Sequence, residues 1–290
     1  MIQLLGISAL VFVQPTEAET ACGAPEGSQA LLAETAGQVL VVGELHGTNE
    51  APGFAGSLTC LALSQDETVT LALEIPADDQ PALDVYLASE GGESDSRAMF
   101  EGFSSSFWTW SDGRSSQAML RLIDGVRGWR GAGMPVSLQA IDAGDADYLA
   151  AEDPQEPTIR DRAMIRRALA AQAETDRVIV LVGNIHARRT ALVSGDMRIE
   201  TMGTLSEPGR LALVNTLYGE GEAWNCTMPD GELVCGAREI FQGPVSGEPR
   251  VLSGAEAEAL NTYAAYDHFV YLGSASVSPP ARPETAAEAQ

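Results

Sequence analysis

Histidine is scarce in this chain, three residues in 290. Any imidazole chemistry must come from His46, His186 or His268. Positive charge is also short. The 17 basic residues face 41 acidic ones, a net charge of −24, which argues against a nucleic-acid partner and against an anionic membrane surface. The excess acid serves solubility, in a salty medium for instance, or draws in cationic substrates. No G-x-S-x-G occurs, and no cysteine stands near His46 or His186, so a covalent serine or cysteine triad is unattractive. The four cysteines form no C-x-x-C, which removes zinc-ribbon and thioredoxin chemistry, and no C-x-x-C-H, which removes covalent c-type haem by that motif. No internal repeat is present.

Apolar runs of membrane-crossing length are missing too. The opening "MIQLLGISALVFVQPTEAETACG" carries an apolar stretch over residues 2–13 that suits an export signal, although its start has no Lys or Arg. Small residues in "TEA" and "ETA" offer cleavage sites, so residues 1–21 are expected to be a signal peptide and the mature protein periplasmic or secreted. "ETAC" lacks the leucine usual three residues before a lipoprotein cysteine, which argues against a lipid on Cys22. Four cysteines fit an oxidising compartment. Cys226 and Cys235 flank "TMPDGELV", whose Pro-Asp-Gly signals a turn, and would staple a hairpin. Cys22 and Cys60 are then left to pair.

What is present is α/β patterning. "QVLVVG" (38–43), "TVTLALEI" (68–75), "PVSLQAID" (135–142) and "RVIVLVGN" (177–184) are near-continuous apolar runs, as expected for strands buried on both faces of a parallel sheet. Helical stretches lie between them. They are residues 50–64, 77–90 (with Asp78 or Asp79 near the start), 115–130 (capped by Ser115 or Ser116) and 158–174. In the last third, "LALVNTLYG", "EAWNC", "ELVCG" and "DHFVYLG" read as strands with hairpin turns, continuing the sheet with an antiparallel edge. The fold expected is one α/β domain over residues 22–275: a mainly parallel sheet flanked by helices, with antiparallel edge strands in the C-terminal third. Residues 276–290 lack apolar periodicity and are expected to be a disordered tail.

Each of the four buried strands delivers polar groups at its carboxyl end, where open α/β sheets bind ligands. The first delivers Glu44 and His46, the second Glu74, the third Asp142, and the fourth Asn184 and His186. "GELHG" and "GNIH" share a Gly-x-x-His turn, in which glycine is expected to let the chain bend sharply and aim the imidazole over the sheet edge. Arg160, and Arg114 in "SDGRSS", would relieve repulsion among these carboxylates and keep them ionised. Trp108 and Trp110 either wall the pocket or sit in the core. His268 is read as structural.

"GELHGTNE", "LALEIP", "RDRAM" and "GNIHA" resemble the superfamily that joins erythromycin esterases, Tiki and TraB proteins and the haem-binding ChaN lipoproteins. "FWTWSDGRSSQAMLRLIDGVRGWR" is similar to a Trp-containing stretch of the esterase branch. The resemblance covers roughly residues 38–190. In an esterase-like mechanism it implies His46 as general base, with Glu74 orienting it or sharing its proton, His186 as the second-turn histidine and Arg160 as the arginine of the Arg-Asp motif. In Tiki-like members two histidines and a Glu are thought to hold one divalent metal, which here would draw on His46, His186, Glu44 and Glu74.

The expected function is an exported hydrolase that cleaves an ester or peptide bond with water activated by His46 and a carboxylate, with or without a metal. Its partner is a small-molecule or peptide substrate, contacted by Asp142, Asn184, Trp108, Trp110 and Arg114. The alternative is a haem- or metal-binding protein of the ChaN type without catalysis, in which Tyr148 or Tyr263 would be axial. A scaffold without activity would have little use for polar groups at every strand end.

Overall fold

The computed structural model describes residues 15–195, 197–240 and 243–282. Helices α1 (Glu17–Cys22) and α2 (Ser28–Glu34) precede strand β1 (Val39–Glu44). Then come α3 (Glu50–Ser64), β2 (Val69–Pro76), α4 (Gln80–Leu87), α5 (Glu93–Gly102) and α6 (Gln117–Gly131). Next are β3 (Val136–Asp142), α7 (Asp145–Ala150), α8 (Ile159–Ala171) and β4 (Arg177–Gly183). The last third holds β5 (Leu192–Ser194), β6 (Met197–Ile199), α9 (Met202–Leu205), β7 (Leu211–Leu217), β8 (Glu222–Thr227) and β9 (Val234–Glu239). It closes with β10 (Arg250–Val251), α10 (Gly254–Glu258) and β11 (His268–Tyr271).

Seven strands form one sheet in the order β10-β11-β7-β1-β4-β2-β3. All neighbours in it run parallel except the edge pair β10–β11. β1 and β4 are buried along their whole length, and alternate residues feed opposite faces. Leu40, Val42, Ile179 and Leu181 meet Phe54, Leu58 and Leu61 of α3 and Ile123 and Val126 of α6. Val39, Val41, Val178, Val180 and Val182 meet Met164, Ile165 and Ala168 of α8 and Met202 of α9. Each large side chain so buried contributes about 1.5–3 kcal/mol. Local signals set only some of the helix starts. Ser116 caps α6 by accepting from the Met119 amide, whereas Thr158 before α8 makes no side-chain cap and accepts from the Glu200 amide instead.

Two features of the last third depart from the simple sheet-and-hairpin expectation. β7 and β11 are parallel members of the sheet, because the segment between them crosses over rather than turning back. The antiparallel pairs β5–β6 and β8–β9 stand apart as separate two-stranded ribbons, the second with Cys226 opposite Cys235 in register. Both expected disulfides are present, Cys226–Cys235 and Cys22–Cys60, and they fit an oxidising environment.

The ends also show structure. Of the expected signal peptide, residues 1–14 lie outside the described residues. Residues 17–22 form α1, begun by a capping box at Thr16, with Glu19 buried and accepting from the Gln29 amide. Of the expected tail, residues 283–290 lie outside the described residues, whereas 276–282 run along the domain. Val277 bridges to Thr48, Pro280 bridges to Ser116, and buried Ser278 accepts from the Ala118 amide. Backbone partners hold this stretch where apolar periodicity gives no sign of order. No helix among the described residues is long and apolar enough to cross a membrane.

Candidate functional site

The parallel sheet brings the strand-end groups to one edge. Glu44 ends β1, Asp142 ends β3, and Glu74 sits two residues before the end of β2. The β2–β3 register shifts between Leu73 and Pro76, and such an irregularity re-aims the side chain it contains. His46 and His186 follow β1 and β4, which are hydrogen-bonded neighbours. Arg160 is the second residue of α8, and Arg114 lies just before α6.

Glu74 is the hub. Its Oε2 lies 3.8 Å from His46 Nε2, and its Oε1 lies 3.8 Å from His186 Nε2. The Gly183 amide donates to Oε2 at 2.7 Å. Arg160 Nη2 donates to Oε1 at 2.5 Å and to Asp142 Oδ2 at 2.6 Å, while Arg160 Nε donates to both Asp142 oxygens. Arg114 Nη1 lies 3.6 Å from Glu74 Oε1, and its Nη2 donates to Asp112 at 2.7 Å. Each imidazole has its own carboxylate on the far side. His46 Nδ1 is 2.9 Å from Glu44, and His186 Nδ1 is 2.9 Å from Asp161. Glu44, rather than Glu74, therefore holds the Nδ1 of His46 and sets its tautomer.

These contacts fix the charges. Desolvation opposes protonation of His46, but Glu44 and then Glu74 outweigh it and raise the imidazole above its ordinary pKa. Burial likewise opposes charge on His186, and Asp161 and Glu74 outweigh it. Burial would raise Glu74, yet the two imidazoles, Arg160 and Arg114 together hold it well below the usual carboxylate range. Burial pushes Asp161 up, and His186 pulls it part of the way back.

Gly43 and Gly183 act differently from the expectation. Neither has a positive φ. A β carbon on Gly183 would meet His46 Nε2 at 2.8 Å, and one on Gly43 would meet Ala187 Cβ and Asn184 Cα at 2.9 Å. Each glycine clears room for the other turn. The backbone bend falls instead at Gly47, with φ of 76°.

Other expected residues divide. Asp142 is buried and serves as the seat of Arg160. Trp110 is 53% exposed, with the Arg114 guanidinium 4.9 Å from its ring. Trp108 is buried among Phe100, Phe103 and Phe107. Asn184 contributes its backbone, donating to Glu44 O and accepting from the Tyr266 hydroxyl. Tyr148 lies near Asp142, Arg160 and Arg114, and burial, followed by Asp142, raises its phenol. Tyr263 makes no hydrogen bond to the cluster among the described residues, and His268 sits on β11, lowered by burial.

Several residues were not singled out from sequence. Asp161 had a signal in the Arg-Asp pair. Asp112 precedes Gly113 and Arg114 in the same loop. Tyr218 had none; it is buried behind Glu44, its hydroxyl 3.1 Å from Thr48 Oγ1. Trp224 also had none. Its amide donates to Gly47 O and its indole to Ser111 O, and β carbons on Gly47 or Gly113 would strike its carbonyl. One ribbon residue thus clamps the His46 turn to the Arg114 loop.

The four residues that the resemblance offers for a divalent metal are each engaged with other groups of the cluster. Glu44 is turned onto Nδ1 of His46, two guanidiniums already meet Glu74, and no group of three His, Cys, Asp or Glu among the described residues is arranged to hold a metal ion.

In architecture the chain is an α/β protein whose fold is similar to that of several solved structures, an erythromycin esterase among them. Similar solved structures are a Bacillus cereus protein (TM-score 0.65, 13% identity, 93% of this chain and 96% of that one) and erythromycin esterase EreC in its open conformation (0.63, 11%, 86% and 94%). A succinoglycan biosynthesis protein is also similar (0.61, 10%, 86% and 91%). No family model matches the sequence, and no curated protein does.

Proposed function

We propose that this protein is a hydrolase of esters, acting through directly activated water. The observation that carries the reading is the pair of carboxylate-backed imidazoles facing one carboxylate, Glu74, beside two guanidiniums. The fold likeness to an erythromycin esterase favours an ester over a peptide bond, as an analogy of fold. His46, whose side chain is 25% exposed, accepts a proton from water at Nε2 while Glu44 steadies the imidazolium. The water oxygen adds to the ester carbonyl carbon, and the oxyanion forms beside Arg114 and Arg160. His186, whose protonated form Asp161 and Glu74 favour, donates to the leaving alcohol oxygen as the carbon–oxygen bond breaks. Glu74 balances the charge between the two rings throughout. General-base assistance of this kind is worth roughly 10²–10⁴-fold.

The test is a screen of neutral esters with the parent and with His46→Ala. Expected are hydrolysis by the parent, loss of about 10²-fold or more in the variant, and one oxygen from labelled water in the acid product without a burst of alcohol. A burst with a trapped acyl-enzyme, or full activity of the variant, overturns the reading.

A further inference from the structure

Some of the exposed large apolar side chains lie on connections that follow strands of the sheet. They include Trp110, Ile185 and, on the ribbon, Met228, Leu233 and Val234. Trp110 stacks on Arg114, which faces Glu74. The next residue, Ser111, accepts from the indole of Trp224. The Trp110 loop and the ribbon therefore adjoin each other beside the Glu74 cluster. From that anchor β8 runs on to Met228, a span of roughly 13 Å at 3.2–3.4 Å per residue. Cys226–Cys235 closes the ribbon along this span, and Met228 and Leu233 beyond it are each 67% exposed.

We infer that Trp110 and the apolar tip of β8–β9 form a shelf for the acyl chain of an uncharged ester whose carbonyl lies at the Glu74 cluster. The inference rests on the hydrolase reading and names its substrate class. A span of this length suits a medium or long chain and is wasted on an acetyl group. The acidic chain, at −24, selects against anionic amphiphiles, and it repels the carboxylate product once water has cleaved the ester. The apolar residues flank a charged floor, as in a site that fixes a polar group and leaves the rest of the ligand to apolar contact.

Hydrolysis of neutral p-nitrophenyl esters from acetate to laurate tests this with the full chain. kcat/KM is expected to rise about twofold per added methylene, half the effect of full burial. Met228→Ser with Leu233→Ser, and separately Trp110→Ala, are expected to flatten that rise. A parallel titration with a neutral alkyl maltoside below its micellar concentration follows tryptophan fluorescence. Binding that the ribbon variant loses supports the shelf even if no ester is cleaved, in which case the hydrolase reading alone fails. Equal rates for acetate and octanoate, or no maltoside binding by the parent, overturn the shelf. So does a ribbon variant that changes only the sedimentation coefficient, since the tip would then be a contact between copies.

Discussion

Gly183 and His46 share one space: a β carbon on the glycine would lie 2.8 Å from the imidazole Nε2. The strand that carries one histidine turn is therefore shaped by the other. Gly183→Ala is expected to push His46 away from Glu74 and lower kcat/KM by about 10²-fold, the scale of a 1 Å misplacement. The thermal midpoint should fall only by the amount that a mild overpacking costs, about 1–3 kcal/mol. Steady-state kinetics beside a melting curve separates the two. An alanine variant at full activity would show that His46 has freedom to move without consequence.

The raised pKa of His46 has an opposite sign for activity and for stability. In the proposed hydrolysis the base is neutral His46, so kcat/KM should climb with pH through a value above the ordinary imidazole pKa of about 6.5. Stability gained from the protonated ring is complete below the unfolded pKa and fades as pH rises through the folded one. Glu44→Gln removes the main raising influence. Its acid limb should move to lower pH with a reduced plateau. A pH–rate profile that stays in place would separate Glu44 from the base.

Glu74 is expected to be a stability determinant as well as a site residue. Glu74→Gln leaves Arg160, Arg114 and two imidazoles without their common counter-charge, and breaking a buried pair this way costs about 3–5 kcal/mol. The pKa of both histidines should fall with it, since Glu74 raises each. Urea unfolding gives the first quantity and histidine NMR titration the second. Unchanged histidine pKa values would mean that Glu74 does not act on the rings.

The two disulfides should have separable effects. Cys22–Cys60 closes 38 residues and ties α1 to α3, so Cys→Ser there should lower global stability by up to roughly 4 kcal/mol. Cys226–Cys235 closes 9 residues of a ribbon outside the main sheet. Its loss should loosen the grip of Trp224 on Gly47 and Ser111, so kcat/KM falls while the main unfolding transition holds. Calorimetry of both variants, with an ester assay, decides. The reverse pattern would place the ribbon in the folding core.

Much of this was legible because β1–β4 are continuous apolar runs whose ends can only reach one sheet edge. Glu44, His46, Glu74, Asp142, Arg160 and His186 do meet there. Partnership was not legible. Asp161 adjoins Arg160 in sequence, but only the placement of α8 beside β4 shows that it faces His186. Trp224 acts through its backbone carbonyl, amide and indole together, and residue type alone carries no trace of that. β7 and β11 have apolar patterns compatible with either strand direction, so their parallel pairing follows from the crossover between them.

The mutual accommodation of Gly43 with Asn184 and Ala187, and of Gly183 with His46, bears on how the molecule acquires its site. Neither turn has its final shape until β1 and β4 lie side by side, and these strands are distant along the chain. Long-range pairing of this kind is slow to form. Catalytic competence should therefore appear late in refolding, after helix content has recovered. The recovered rate then counts molecules whose central strands have joined, rather than molecules that are merely compact.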